Sequence, residues 1–175
     1  MATNWTIDNL HSEITFKVRH MMISNVSGSF GTFTASATSE GEDFSNPSFT
    51  FSATIDSINT GVADRDGHLK SADFFDAANH PELTFVSTSV EKVGDDELVI
   101  HGDMTIRGTT KNIKLTAEFA GIAVDPYGQT KAGLTLKGKI KRSEFGLVWS
   151  AVTEAGSIVV GDDVNLTCEV QFVKA

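Results

Sequence analysis

An apolar–polar alternation of period two runs through most of the 175 residues and constrains the fold more than any other feature. Ile14, Phe16, Val18 and His20 alternate with Glu13, Thr15, Lys17 and Arg19. Phe49, Phe51, Ala53 and Ile55 alternate with Thr50, Ser52 and Thr54. The pattern returns at Leu98–Ile106, Ile113–Phe119, Leu134–Ile140 and Val164–Phe172. Successive strand side chains point to opposite faces, so each segment has one apolar and one polar side. Turn residues separate the segments at 40–43, 94–96, 125–128 and 161–163. Short spacings without helix-length patterns favour antiparallel neighbours over βαβ units. The strands are long for a sandwich, and the expected fold is a single all-β domain over residues 1–175. It is an extended antiparallel eight-stranded up-and-down barrel, lipocalin-like in type.

The stretch from Asp64 to His80 breaks the alternation. It is expected to form a short helical insertion near residues 64–80, with Asp64 near the N-cap, lying over a barrel mouth. Polar residues crowd this stretch: Arg65, Asp66, His68, Asp73 and Asp76 around Phe74-Phe75. As a clasp, the cluster has clear roles. Arg65 is a five-donor fork suited to strand-end carbonyls or to Asp73, Asp66 suits backbone amides, and His68 bridges helix and rim. As a metal site it is weak, because none of the five histidines forms a tight ligand spacing. As a catalytic site, Asp66 and His68 resemble a base and its orienting group, but no nucleophile motif accompanies them. No catalytic residue, metal ligand or cofactor is therefore assigned.

Composition excludes several classes. The formal net charge of −9 opposes nucleic-acid binding. The one cysteine, Cys168, allows no internal disulfide and reads as a small buried hydrophobe. No run approaches the roughly 20 apolar residues of a membrane-spanning helix, and no leader pattern precedes Trp5. A soluble, cytoplasmic protein is expected as the sequence stands, or a periplasmic one if an exported precursor is trimmed. Edge-like segments at the barrel seam leave room for a homodimer.

Twelve Phe against one Tyr and two Trp give a bulky interior with few polar handles. Small residues on the apolar faces (Gly28, Ala53, Gly102, Ala117, Gly138) either leave a channel or fit the barrel's taper. If they leave a channel, Phe at Ala53 or Gly102 should block it with the fold intact.

Several blocks in order carry a family resemblance: Trp5-Thr6-Ile7-Asp8, Phe16-Lys17-Val18-Arg19-His20 and Arg65-Asp66-Gly67-His68-Leu69. Further along come Asp73-Phe74-Phe75-Asp76, Gly102 to Lys111, Arg142 to Leu147 and Val160 to Val164. In these the chain resembles the YceI-like family of polyisoprenoid-binding, lipocalin-like proteins. The resemblance implies a barrel with an apolar tunnel that holds an isoprenoid or similar long-chain lipid, such as a quinone tail or polyprenyl group. The implied role is transport, storage or sequestration. An enzyme acting on a similar lipid, or a filled structural or stress-response barrel, are the alternatives. Candidate ligand contacts on the apolar faces are Phe16, Val18, His20, Phe30, Phe49, Phe51, Phe85, Met104, Ile106, Phe119, Leu134 and Leu136. Arg65, His68 and Phe74 join them from the insertion, and Phe145 and Trp149 from a non-alternating segment read as a flap.

Overall fold

The computed structural model of the chain describes residues 2–21, 23–149 and 160–175. Its strands are β1 (Ala2–Ile7), β2 (Glu13–His20), β3 (Ser24–Phe30), β4 (Phe33–Glu40), β5 (Ser45–Thr54) and β6 (Ile58–Asn59). After α1 (Ala63–Lys70), the one α-helix among the described residues, come β7 (Glu82–Lys92), β8 (Glu97–Ile106), β9 (Thr109–Val124), β10 (Thr130–Lys141) and β11 (Val160–Lys174). All pairings are antiparallel.

The first six strands are halves of three long, kinked ones. β11 pairs with β2 from Val164↔Val18 to Glu169↔Glu13, then with β1 from Phe172↔Ile7 to Lys174↔Trp5. In the same way β3 and β4 follow β2 and β1, and β6 and β5 follow β3 and β4. Counted so, eight strands run up and down, and the β1–β11 pairing closes the barrel. The first kink has a local cause. Between β1 and β2, the Asp8 carboxylate accepts from Leu10 N at 3.1 Å and turns the chain through one 3-10 turn. Buried Ser12 then accepts Gln171 N through its hydroxyl at 3.0 Å, which satisfies an amide the kink would orphan.

The strands that alternation misses are poor in large apolar residues. β4 buries Phe33, Ala37 and Ser39 and shows threonines and serines outside. The expected reversal at 161–163 does not occur. Those residues lie within β11, where the register against β2 shifts between Val160 and Val164, so the glycine and aspartates form an irregularity and not a turn. The tight β8–β9 turn is made by Arg107 (φ 50°) and Gly108 (φ 75°), the paired left-handed geometry of a two-residue hairpin.

The small inward positions fit the taper. A Cβ on Gly28 would run into the Phe16 ring, one on Gly102 into the Phe85 ring, and one on Gly138 into Leu115. The neighbouring side chains thus lie across the glycines. Ala53 is fully buried between Phe33 and Leu83 in the register. Phe at either Gly102 or Ala53 therefore fails as a fold-preserving block. Even Gly102→Ala, whose methyl would also meet the Val86 carbonyl at 2.7 Å, is expected to cost about 1–3 kcal/mol, measurable by thermal denaturation.

One end of the barrel is closed by aromatic rings. Phe44, in the turn after β4, stacks on Phe119 at 5.6 Å between centroids and meets Trp5 edge-on at 5.1 Å. Phe49 and Phe172 complete the plug, at 6.0 and 6.1 Å from Phe44. The Trp5 indole N–H is satisfied by Ser39 Oγ at 2.9 Å. Near this end, Asp8 accepts Lys131 Nζ at 2.8 Å and lies 2.8 Å from His11 Nδ1. Chiefly through the Lys131 hydrogen bond, its carboxyl is held at about 2 against an ordinary 3.8. A depressed carboxyl contributes stability above its unfolded value and loses it on protonation. About 1 kcal/mol, after allowance for solvent screening, is expected to disappear as pH falls from about 4 to about 2. Asp8→Asn should flatten that part of a stability–pH curve measured by urea denaturation.

Candidate functional site: a two-chambered apolar interior

Above the plug the barrel holds two adjoining chambers. The inner one has a volume of about 120 Å³ and the outer one about 270 Å³. Phe16, Phe30, Leu83, Ile140 and Leu166 border both and form the ring where they meet. An engineered apolar cavity of about 150 Å³ stays dry and takes up benzene, so a chamber of the inner one's size and lining repels water.

The inner chamber is bordered by Ile7, Ile14, Ala35, Ile100, Leu115, Val170 and Phe172 besides the expected Phe49, Phe51, Phe85, Met104 and Leu136. Thr15 and Thr50 are the lining hydroxyls among the described residues, and both are engaged elsewhere. Thr15 donates to Thr167 O at 2.6 Å, and Thr50 pairs with the Ser36 hydroxyl at 2.6 Å. Cys168 also borders this chamber; burial pushes its thiol up to about 11, so it stays protonated at neutral pH.

The outer chamber reaches the mouth. Val18, His20 and Ile106 border it from the barrel, Arg65, His68, Leu69, Phe74 and Phe75 from the insertion, and Arg142, Leu147 and Trp149 from the segment after β10. Among the described residues its border carries Arg19, Arg65 and Arg142 but no carboxylate residue.

The insertion is a clasp, wired in part as expected. The N-cap of α1 is Val62, without a side-chain cap, and not Asp64. Asp66 points back from the helix and accepts both the backbone N–H (2.8 Å) and the hydroxyl (2.5 Å) of Thr60. That hydroxyl is the chief cause of the lowered Asp66 pKa. Arg65 grips the same residue through Thr60 Oγ1 at 2.8 Å and Thr60 O at 2.7 Å. Both charges of the Arg65-Asp66 pair thus fix Thr60, where the chain leaves β6. Asp73 partners His68, Nε2 to Oδ2 at 2.9 Å, and not Arg65, whereas Arg65 takes a carbonyl just past a strand end and Asp66 a backbone amide, as expected. The His68 ring meets the edges or faces of Phe74 at 5.1 Å and Trp149 at 4.8 Å. Phe74 and Trp149 touch at 5.3 Å, giving a three-ring cover at the mouth.

Sequence reasoning missed Arg142 as a site residue. It is 8% exposed, and its guanidinium donates to four backbone carbonyls. Nε reaches Gly161 O at 2.8 Å, NH1 reaches Leu147 O at 2.6 Å and Trp149 O at 2.8 Å, and NH2 reaches Val160 O at 3.2 Å. Its carbon centre lies 5.8 Å from the Phe74 ring centroid. Burial lowers its pKa, yet a guanidinium stays charged at neutral pH. One side chain therefore ties the end of β10, the start of β11 and the aromatic cover together. The visible signal was a lone arginine after an alternating strand, which does not distinguish a buried fork from a solvated charge.

Three expected contacts border neither chamber. Phe119 is stacked into the plug, Leu134 is packed in the wall at 3% exposure, and Phe145 is fully buried beneath the segment after β10. The supposed flap therefore divides: Phe145 anchors it, Val148 is exposed, and Trp149 faces the outer chamber.

The model of the YceI-like domain matches residues 5–172, nearly the whole barrel. The chain belongs to the YceI-like family. A UPF0312 protein of Staphylococcus aureus (strain USA300) is 35% identical to this YceI-like chain over 171 residues, 97% of each. The Campylobacter jejuni YCEI protein is similar in structure, with a TM-score of 0.77, 34% identity and 90% of each chain covered. More distant structures share the fold. BcnA of Burkholderia cenocepacia has a TM-score of 0.81 at 20% identity, covering 94% of this chain and 98% of its own. A polyisoprenoid binding domain from Saccharophagus degradans has a TM-score of 0.70 at 12% identity, covering 98% of each. Among the described residues, no helix of this YceI-like chain is long and apolar enough to cross a membrane.

Proposed function

We propose that this chain binds one long-chain lipid, an isoprenoid such as a quinone tail or polyprenyl group, and carries, stores or sequesters it. The tail occupies the inner chamber and crosses the ring of Phe16, Phe30, Leu83, Ile140 and Leu166. The polar end stays in the outer chamber, near Arg65, His68 and Arg142. The observation that carries this reading is the contrast between the two chambers. The inner one carries no charged side chain and its two lining hydroxyls are engaged elsewhere, whereas charged groups border the outer one at the mouth. Each buried methylene contributes about 0.8 kcal/mol, so affinity comes from length and needs no specific chemistry. The description of the Saccharophagus degradans neighbour as polyisoprenoid binding supports isoprenoid over other tails. Phe74 and Trp149 serve as ligand contacts as well as cover.

The test is a chain-length series. Delipidated protein is titrated with prenyl alcohols of increasing length, read by displacement of a fluorescent fatty probe. Affinity is expected to rise steeply with each isoprene unit and level off once both chambers are filled. Affinity independent of length would overturn the reading.

A further inference from the structure

The outer chamber opens at the barrel end where β2, β6, β8 and β10 finish and β3, β7, β9 and β11 begin. Four exposed apolar side chains flank its border in the chain. Met21 and Ile23 lie in the turn between His20 and Val26, at 38% and 78% exposure. Val62 lies between Thr60 and Arg65, at 47%, and Val148 between Leu147 and Trp149, at 66%. Each is within three residues of one that borders the chamber, and Ile23 and Met21 share the short β2–β3 turn at that end, so the four stand around one opening. Exposed valines and isoleucines gain nothing from water, and soluble proteins seldom gather them on one rim without a use for it.

Charge on this rim supports one occupant. The protein's formal net charge is −9, yet Arg19, His20 and Arg65 border the opening, and Arg19 is exposed. Of the carboxylates on the insertion, Asp66 is bonded to Thr60, Asp73 to His68 and Asp76 to Asn79, while Asp64 is exposed. Glu144 is exposed beside Arg142. Exposed apolar side chains beside cations that border the chamber suit the acyl boundary and phosphate layer of a bilayer.

Resting on the lipid-binding reading, we propose that the mouth is a membrane-docking surface. Met21, Ile23, Val62 and Val148 insert among the lipid headgroups, and the outer chamber opens directly onto the bilayer. The lipid then passes between membrane and barrel without crossing water. Because both signs of charge are present on the rim, apolar insertion dominates and an anionic surface is not required.

The experiment is co-flotation of the whole chain with phosphatidylcholine vesicles at low and high salt. Ile23→Asp/Val148→Asp is compared with Val124→Asp/Tyr127→Asp. Val124 and Tyr127 are exposed (67% and 90%) at the plugged end and serve as control. The wild type and the control pair are expected to float at both salt concentrations, and the mouth pair to lose at least tenfold of its vesicle-bound fraction with an unchanged melting temperature. Uptake of a prenyl alcohol by the mouth pair should slow when the donor is a vesicle and stay normal when it is a detergent micelle. Three outcomes overturn the proposal: no flotation of the wild type, flotation only with anionic vesicles and lost in salt, or equal loss in both pairs. Flotation without any lipid uptake would leave docking standing and defeat the cargo reading. Uptake without flotation would do the reverse.

Discussion

Arg142→Ala is expected to lower the melting temperature by about 10 °C. The substitution leaves the carbonyls of Leu147, Trp149, Val160 and Gly161 without their donor and removes the cation beside Phe74. Stranding several buried polar groups at once costs about 3–5 kcal/mol, and each kcal/mol moves the midpoint of a domain this size by roughly 2–4 °C. Arg142→Lys is expected to recover little, because a point charge cannot reproduce the fork that reaches four carbonyls. Trp149 fluorescence should shift to the red in Arg142→Ala as the aromatic cover loosens. Thermal denaturation by circular dichroism checks the first effect and emission spectra the second. A variant that melts with the wild type would show that the mouth is held by other contacts.

Cys168→Phe is expected to have the largest effect on binding. Cys168 is half-buried in the wall and borders the inner chamber, so a benzyl group there points into open space. By comparison with a benzene-sized cavity, the inner chamber takes about five or six carbons. Excluding that length removes about 4 kcal/mol of apolar burial, or close to three orders of magnitude in affinity for long tails. Short tails, confined to the outer chamber, should bind as before. The same displacement assay across the prenyl series separates the two. Equal weakening for all lengths would mean that the inner chamber is not where the tail ends.

The sequence made the barrel legible because its longer strands bury one face against solvent on the other, which forces the alternation seen in β2, β5 and β8–β11. β4 was harder to read, since Ala35, Ala37 and Ser39 point inward with little apolar contrast. Gly161, Asp162 and Asp163 read as a turn but lie in a strand. Asp162 is occupied there by the backbone and hydroxyl of Ser143, at 2.9 and 2.8 Å. Most of the chamber lining follows from face assignment alone. What alternation cannot tell is depth along the barrel. That is why Phe119 and Leu134, on the correct face, border neither chamber. The clasp was legible as a cluster but not as a wiring diagram. Asp66 serves Thr60 because the helix is capped at Val62, two residues before the Asp64 that its acidic residues suggest, and Arg142 became a site residue only through where β11 starts.

The most direct measurement is mass spectrometry of an organic-solvent extract from the purified, folded protein, quantified against chain concentration. About one amphiphile per chain with a long unbranched or isoprenoid tail is the expected result. A chain that comes out lipid-free, and stays so after incubation with prenyl alcohols while remaining folded, would contradict the central claim.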